Sequence, residues 1–317
     1  MLGNIFTNTL LTGLPLIPVC LGVYLVLRIR QDFDLTVEGS FTLGGATAAV
    51  LISHGLNPIP AMATGIAAGA AAGLLTSLVS LTLRQPVLLA GLIVNMGLYS
   101  VTLGVLGSPT VSLLGAGTIF SGFDDTADNG SQTTRIMVLA VIAMALLAAF
   151  AVFLKTEVGL ALRASGENPR MVRSQGVNEN GLTVLSLMLS NGLSALGGTL
   201  LVQVQSYADV NMGTGMFLAG TGSVLLGVLL FSPSGSQVVR IVAAVMAGGL
   251  LYRLILVAAL RFGLPANNLN GITALTLIVT VAAQSYVVPV IGKYRRSASR
   301  RAAGLAVIPK EVEAPRA

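Results

Sequence analysis

Tryptophan is absent from this 317-residue sequence, which holds one cysteine and one histidine. A lone thiol, Cys20, cannot close an intramolecular disulfide, and with His54 as the one imidazole no multi-ligand His/Cys metal site can be built. His54 stands beside Gly55 and Asn57-Pro58 and reads as a turn residue. Cys20 follows Leu16-Ile-Pro-Val, a faint match to a lipoprotein cleavage site. No basic segment precedes it and bulky Val19 stands before the thiol. Ordinary packing within a span is therefore expected, and the N-terminus does not read as a signal peptide.

Charge is as scarce as sulfur. Charged residues make up 9% of the chain, where a soluble domain carries about 25%. So few charges cannot cover a surface that faces water. The net charge of +6 invites a nucleic-acid partner, but the basic residues sit at the ends of apolar runs and in the tail. No aromatic-rich soluble segment is present to read bases, so no nucleic acid is expected. The phosphate-cradling pattern G-x-x-x-x-G-K-[ST] does not occur: Lys293 follows Gly292, but Tyr294 comes next. No nucleophile–base–acid set and no paired carboxylates in one cleft can be assembled. No catalytic residue, cofactor or metal is therefore expected, and if ATP drives this protein, ATP and Mg belong to a separate subunit.

What is present is apolar. Hydrophobic residues reach 54%, mean hydropathy is +0.85, and there are 37 glycines, as where helices approach closely in lipid. The reading is an all-α integral membrane protein. A span needs about 20 apolar residues, and the candidates are Thr9–Leu27, Gly39–Ser53, Ile59–Leu83, Val87–Leu106, Thr134–Leu154, Leu182–Val204, Gly215–Phe231, Gln237–Leu260 and Gly271–Ile291. The second and seventh are short and glycine-laden, and interruption is expected there. With the N-terminus outside, the inner segments collect Arg28, Arg30, Arg84, Lys155, Arg163, Arg170, Arg173, Arg240 and the tail from Lys293. The outer segments hold Arg135 and Arg261 beside Asp124, Asp125, Asp128 and Asp209. The excess of Lys and Arg predicts N-outside, C-inside. One transmembrane domain over 1–292, with a cytoplasmic segment at 155–181, precedes a basic tail over 293–317 that anchors to anionic lipid heads.

Two stretches share a spacing at an offset of about 176 residues. Gly44 matches Gly220, and Ala67-Ala68, Ala71 and Gly73-Leu74-Leu75 match Ala243-Ala244, Ala247 and Gly249-Leu250-Leu251. The second span starts inside and the seventh outside, so the expectation is an inverted repeat with a substrate path at the repeat interface.

Polar residues within the apolar runs are the candidate path. Glu38 opens the second span, where an ionised carboxylate in hydrocarbon costs about 2.5–3.5 kcal/mol on insertion scales. It either lines a cavity or sits at the interface bonded to backbone. Asn95 and Asn191 lie well within spans and serve as interhelical glue or as path lining. Thr36 and Ser40 flank Glu38 and complete the candidate set. Arg253 lies about 12 Å from Arg261 at the helical rise and is expected to pair with a carboxylate or carbonyl, or to snorkel outward, in a structural role. Gly65, Gly69 and Gly73 form a close-packing face, within or between subunits.

One hydrophilic segment, Lys155 to Gly176, interrupts the greasy chain. Asn168 can cap a helix, Pro169 fits its first position and Gly176 can end it. A short rigid helix between two spans is suited to being gripped by a soluble partner. Three pieces together resemble the permease subunits of bacterial ABC importers in the branched-chain amino acid/ribose superfamily. They are Asp34-Leu-Thr-Val-Glu-Gly-Ser-Phe41, Pro86-Val-Leu-Leu-Ala-Gly-Leu-Ile93 with Leu98-Tyr-Ser100, and Gly159-Leu-Ala-Leu-Arg-Ala-Ser-Gly-Glu-Asn-Pro169 with Gly176. The likeness runs from about Asp32 to Ile291 and is most specific in the last piece. It is strongest to a subgroup paired with periplasmic binding proteins thought to favour aromatic or other amino acids. Asn267-Asn-Leu-Asn270 departs from it, standing where an acidic or basic residue is expected.

The resemblance implies a homodimer of permeases in the bacterial cytoplasmic (inner) membrane, with two ABC ATPase subunits below and an extracytoplasmic substrate-binding protein above. Arg163, Gly166, Glu167, Asn168, Pro169, Arg170, Met171, Val172, Arg173 and Gly176 would couple to the ATPase. In this picture Arg170 and Arg173 contact carboxylates or backbone, and Met171 and Val172 fill an apolar groove on the partner. The cargo implied is an amino acid. A nucleoside or sugar is the alternative within the superfamily, and a stand-alone secondary transporter is the alternative outside it.

Overall fold

In the computed structural model, residues 2–121, 128–231, 238–263 and 269–283 are described. Asp124, Asp125, Gln237, Asn267, Asn268, the last span beyond 283 and the basic tail from Lys293 lie outside them.

The chain builds α1 (Leu2–Gly13), α2 (Ile17–Tyr24), α3 (Thr36–Ser53), α4 (Pro58–Leu83), α5 (Val87–Leu106), α6 (Asp128–Lys155), α7 (Glu157–Glu167), α8 (Pro169–Ser174), α9 (Glu179–Gln205), α10 (Met216–Phe231), α11 (Val238–Arg261) and α12 (Leu269–Ala282). Two three-residue strands, β1 (Thr110–Ser112) and β2 (Tyr207–Asp209), pair antiparallel with Val111 opposite Ala208. Six helical stretches among the described residues are long and apolar enough to cross a membrane: 5–30, α4, α5, 132–155, α9 and α11. Helices α10 and α12 are apolar but shorter.

The first span is one rod made of four pieces. A 3-10 turn (Leu14–Leu16) joins α1 to α2, and a π-helical turn (Leu25–Arg30) follows α2. Pro15 and Pro18 each stand at the start of a new piece, because a residue without an N–H cannot continue the ladder of the piece before it. The rod stops at Gln31, whose backbone is left-handed (φ 62°).

Helix α9 is the centre of the molecule, and α3, α4 and the first span lie against it. Contact is close enough to need bare backbone. A side chain at Gly69 or Gly73 of α4 would strike the carbonyls of Asn191 or Leu187. The glycine face of α4 thus packs within the subunit. The hairpin of α10 and α11 leans instead on the first span, with Gly220 against Val23, Gly13 against Leu250 and Arg253, and Cys20 against Gly249. The first span therefore supports the second hairpin, while α9 supports the first.

Helices α3 and α10 are each uninterrupted, contrary to the expected break within the second and seventh spans. The irregular backbone lies ahead of each helix instead, at 31–35 and 210–215. Glycines inside α3 meet neighbouring backbone rather than bending the helix: Gly44 sits on Ala195, and Gly45 beside the Gly198 carbonyl.

Candidate functional site

Contacts along α9 give the depth of everything beside it. Arg30, at the end of the first span, donates to Thr183 near the start of α9 (2.7 Å) and to Ser165 of α7 (3.0 Å), and it pairs with Asp32 at 3.5 Å. Burial pushes the Asp32 carboxyl up against the pull of that guanidinium. The next residues then climb. Asp34 already accepts from the Asn191 amide (2.6 Å), twelve residues and about 18 Å along α9. Asp34 also accepts from the Thr36 backbone N–H at 2.9 Å, which closes the start of α3. Helix α3 therefore begins near the middle of the bundle and runs alongside α9 toward the ribbon.

Helix α10 begins at the same depth and runs the other way, along the first span. Its first N–H groups are held by α3: Glu38 accepts from Gly215 at 3.0 Å and from Phe217 at 3.4 Å. Gly213 packs directly on the Glu38 carbonyl and the Thr42 hydroxyl. A carboxylate at the positive end of a helix satisfies donors that have no partner within the helix. Both helix starts are thus closed by acidic side chains, Asp34 and Glu38, where the chain reverses direction.

Beside this junction lies a cavity of about 300 Å³ lined by Glu38, Gly39, Thr42, Asn95, Met96, Tyr99, Thr102, Val210, Gly213 and Thr214. Of the sequence candidates, it brings together Glu38 and Asn95. Thr36, Ser40 and Asn191 face away from it into the α3–α4–α9 contact. There Ser40 donates to the Asn191 amide oxygen (2.6 Å) and Thr36 meets the Thr76 hydroxyl (2.7 Å). Those three and Asp34 form a buried polar network that ties helices together. Tyr99, Thr102 and Thr214 line the cavity unannounced by the sequence. Their signal would have been a polar side chain one or two helical turns from Asn95, and for Thr214 the repeat offset from Glu38.

The hydrophilic segment forms two helices, not one. The sequence reading missed α7, whose Gly159, Ser165 and Gly166 weaken the helical pattern. Thr156 caps it by accepting from Gly159 N–H (3.2 Å). Its small residues are needed for fit, since Gly166 lies on the Ile29 carbonyl and Gly159 on that of Phe153. In α8, Asn168 accepts from Met171 N–H (3.1 Å), Pro169 opens the helix and Gly176 leaves it at φ 80°. Glu167, Asn168, Arg170, Met171, Arg173 and Gly176 are exposed. Arg163 turns back to the Leu154 carbonyl (2.9 Å) and Arg173 pairs with Glu179 (2.8 Å). Val172 is buried in the chain's own core at 4% exposure, so it is not free to fill a groove on a partner, whereas Met171 is. Arg253, expected to meet a carboxylate or carbonyl or to snorkel outward, donates Nε–H to the Thr12 hydroxyl at 2.8 Å.

The family model for the permease component of branched-chain amino acid transport systems matches residues 5–294. The tyrosine transport system permease protein of Clostridioides difficile is 30% identical over 279 residues, 88% of this chain and 90% of that one. The ribose import permease protein RbsC of Escherichia coli is 27% identical, over 66% of this chain and 64% of its own. The probable branched-chain amino acid transport permease protein LivH of Methanocaldococcus jannaschii is 24% identical, over 74% and 73%. No solved structure matches the chain significantly.

Proposed function

The chain belongs to the family of branched-chain amino acid transport system permease components, and from that premise we propose that it forms the translocation path of an ATP-driven importer for a free amino acid. It is a transport subunit of the ABC type, not an enzyme. ATP and Mg are handled by two ATPase subunits docked beneath α7 and α8, and an extracytoplasmic binding protein delivers cargo from above. A second copy completes the path in the cytoplasmic membrane. The relatives named for tyrosine and branched-chain amino acids support this cargo. The relative named for ribose keeps a sugar as the second reading.

The observation that carries the reading is the junction at Glu38. Two helices start near mid-bundle and run apart in opposite directions, each fed by irregular backbone entering from a different side. Discontinuous helices meeting at the midplane are where transporters of inverted-repeat design hold their substrates. The 176-residue offset carries the first span onto α9, α3 onto α10, α4 onto α11 and α5 onto α12. This supports nine spans, in two inverted halves of four with α6 between them. Each half lends its first span to the other half's hairpin.

Force from the ATPase reaches the junction by a short route. Helix α7 rests on the end of the first span through Gly166 and Ile29, and Arg30 bolts that end to α7 and α9. Four residues on, Asp34 holds the start of α3. A tilt of α7–α8 therefore pulls on the loop that sets Glu38 against α10. The docking is tested by cross-linking from Met171→Cys to the ATPase in the assembled complex. The reading predicts an adduct whose yield changes with ATP, and no adduct with any ATPase subunit would refute it.

A further inference from the structure

A second cavity, of about 370 Å³, lies on the other side of the segment that leads into α10. Its polar lining is Thr12, Gln205, Tyr207, Asp209, Asn211 and Arg253. Arg253 belongs to an apolar helix and stands eight residues, about 12 Å, inside its end. A guanidinium at that depth is costly unless it is paired or functional. Among the described residues it makes one hydrogen bond, from Nε to Thr12, and meets no carboxylate within 4.0 Å. Its terminal amino groups, the fork that fits a carboxylate, make no hydrogen bond among the described residues, and Arg253 itself lines the cavity.

Among its described lining residues the same cavity has one acidic side chain. Asp209 is fixed by the ribbon and the turn after it: its carboxylate accepts from Thr110 Oγ1 (2.9 Å) and from Asn211 N–H (2.8 Å). Each carboxylate oxygen retains room for a further donor. A cavity with one fixed cation and one fixed anion that do not neutralise each other suits a ligand bearing both charges. A lone carboxylate would leave Asp209 unanswered and a lone amine would leave Arg253 so, while a sugar could hydrogen-bond to both but would neutralise neither charge. We propose that this cavity is a receiving site for a zwitterionic α-amino acid, which places its carboxylate on Arg253 and its ammonium on Asp209 at the ribbon end of the path. The proposal rests on the importer reading for the direction of travel, but not for the binding itself.

The test uses the purified complex with its ATPase subunits and reads ligand-induced shifts in Tm. The probes are L-leucine and L-phenylalanine, their deaminated acids (4-methylpentanoate and 3-phenylpropanoate), their decarboxylated amines, and ribose. At millimolar concentrations at least one amino acid raises Tm, whereas the acids, the amines and ribose do not. Arg253→Gln weakens that response roughly tenfold or more, as expected for loss of a charge-assisted pair, and Arg253→Lys restores part of it. Asp209→Asn lets the deaminated acid bind as well as the amino acid. Because Cys20 is buried, Gln205→Cys supplies a single reporting thiol, whose maleimide labelling the amino acid slows. This readout does not depend on Arg253→Gln folding. The proposal is overturned if neither amino acid shifts wild-type Tm or slows labelling, or if the response survives undiminished in both Arg253→Gln and Asp209→Asn. ATP-dependent uptake by the same preparation separates the two readings. Uptake without binding here defeats this site alone, and uptake indifferent to ATP defeats the importer.

Discussion

Glu38 shows how far a single residue can be read from sequence. A carboxylate among glycines at the mouth of an apolar run stands out, because an unpaired charge there is expensive. Its partners do not stand out, since Gly215 and Phe217 lie 177 and 179 residues away and offer backbone, which has no sequence signature. Replacing Glu38 by Ala leaves two part-buried N–H groups without their acceptor. The expected cost is about 1–3 kcal/mol, read as a lower Tm of the purified complex. Glu38→Gln keeps an acceptor and removes the charge, so Tm should change little while uptake falls roughly tenfold or more. Asn191 follows the same logic in the core: it serves Asp34, Ser40 and the Leu187 carbonyl at once. Asn191→Leu strands the buried Asp34 and should destabilise the subunit by about 3 kcal/mol, visible as poor recovery from the membrane.

Among the elements, α8 was legible because Asn168, Pro169 and Gly176 act locally, within one turn of where they stand. Helix α7 was not, because its glycines and Ser165 answer to Ile29, Phe153 and Arg30 rather than to helix propensity. The starts of α3 and α10 were half legible. Glycine density flagged both spans as unusual, but placed the irregularity inside the helices rather than before them. Gly166→Val drives a side chain into the Ile29 carbonyl and should uncouple ATP hydrolysis from uptake. Met171→Glu, on the exposed side of α8 (55% exposed), should weaken ATPase binding and leave Tm unchanged. Val172→Asp buries a charge in the core and should lower Tm instead. The contrast between these neighbours distinguishes a docking face from a packing face.

On the scale of the whole molecule, composition made membrane residence plain and the offset of about 176 residues hinted at two halves. The packing itself, with the first span bracing α10–α11 and α9 bracing α3–α4, was beyond any pattern in the chain. It arises from close backbone contact between segments far apart in sequence. In the proposed mechanism that packing gives α7 and α8 their leverage, since the rod that α7 touches also braces α10 and α11. The central claim is that this bundle has no engine and is moved from the cytosol through α7 and α8. Uptake of radiolabelled amino acid into proteoliposomes tests it most directly, with the permease alone, with its ATPase and binding protein, and with Gly166→Val in the full system. Accumulation should require ATP and every partner, and should collapse in Gly166→Val while ATP hydrolysis continues. Accumulation by the permease alone, or full transport by Gly166→Val, would contradict the account.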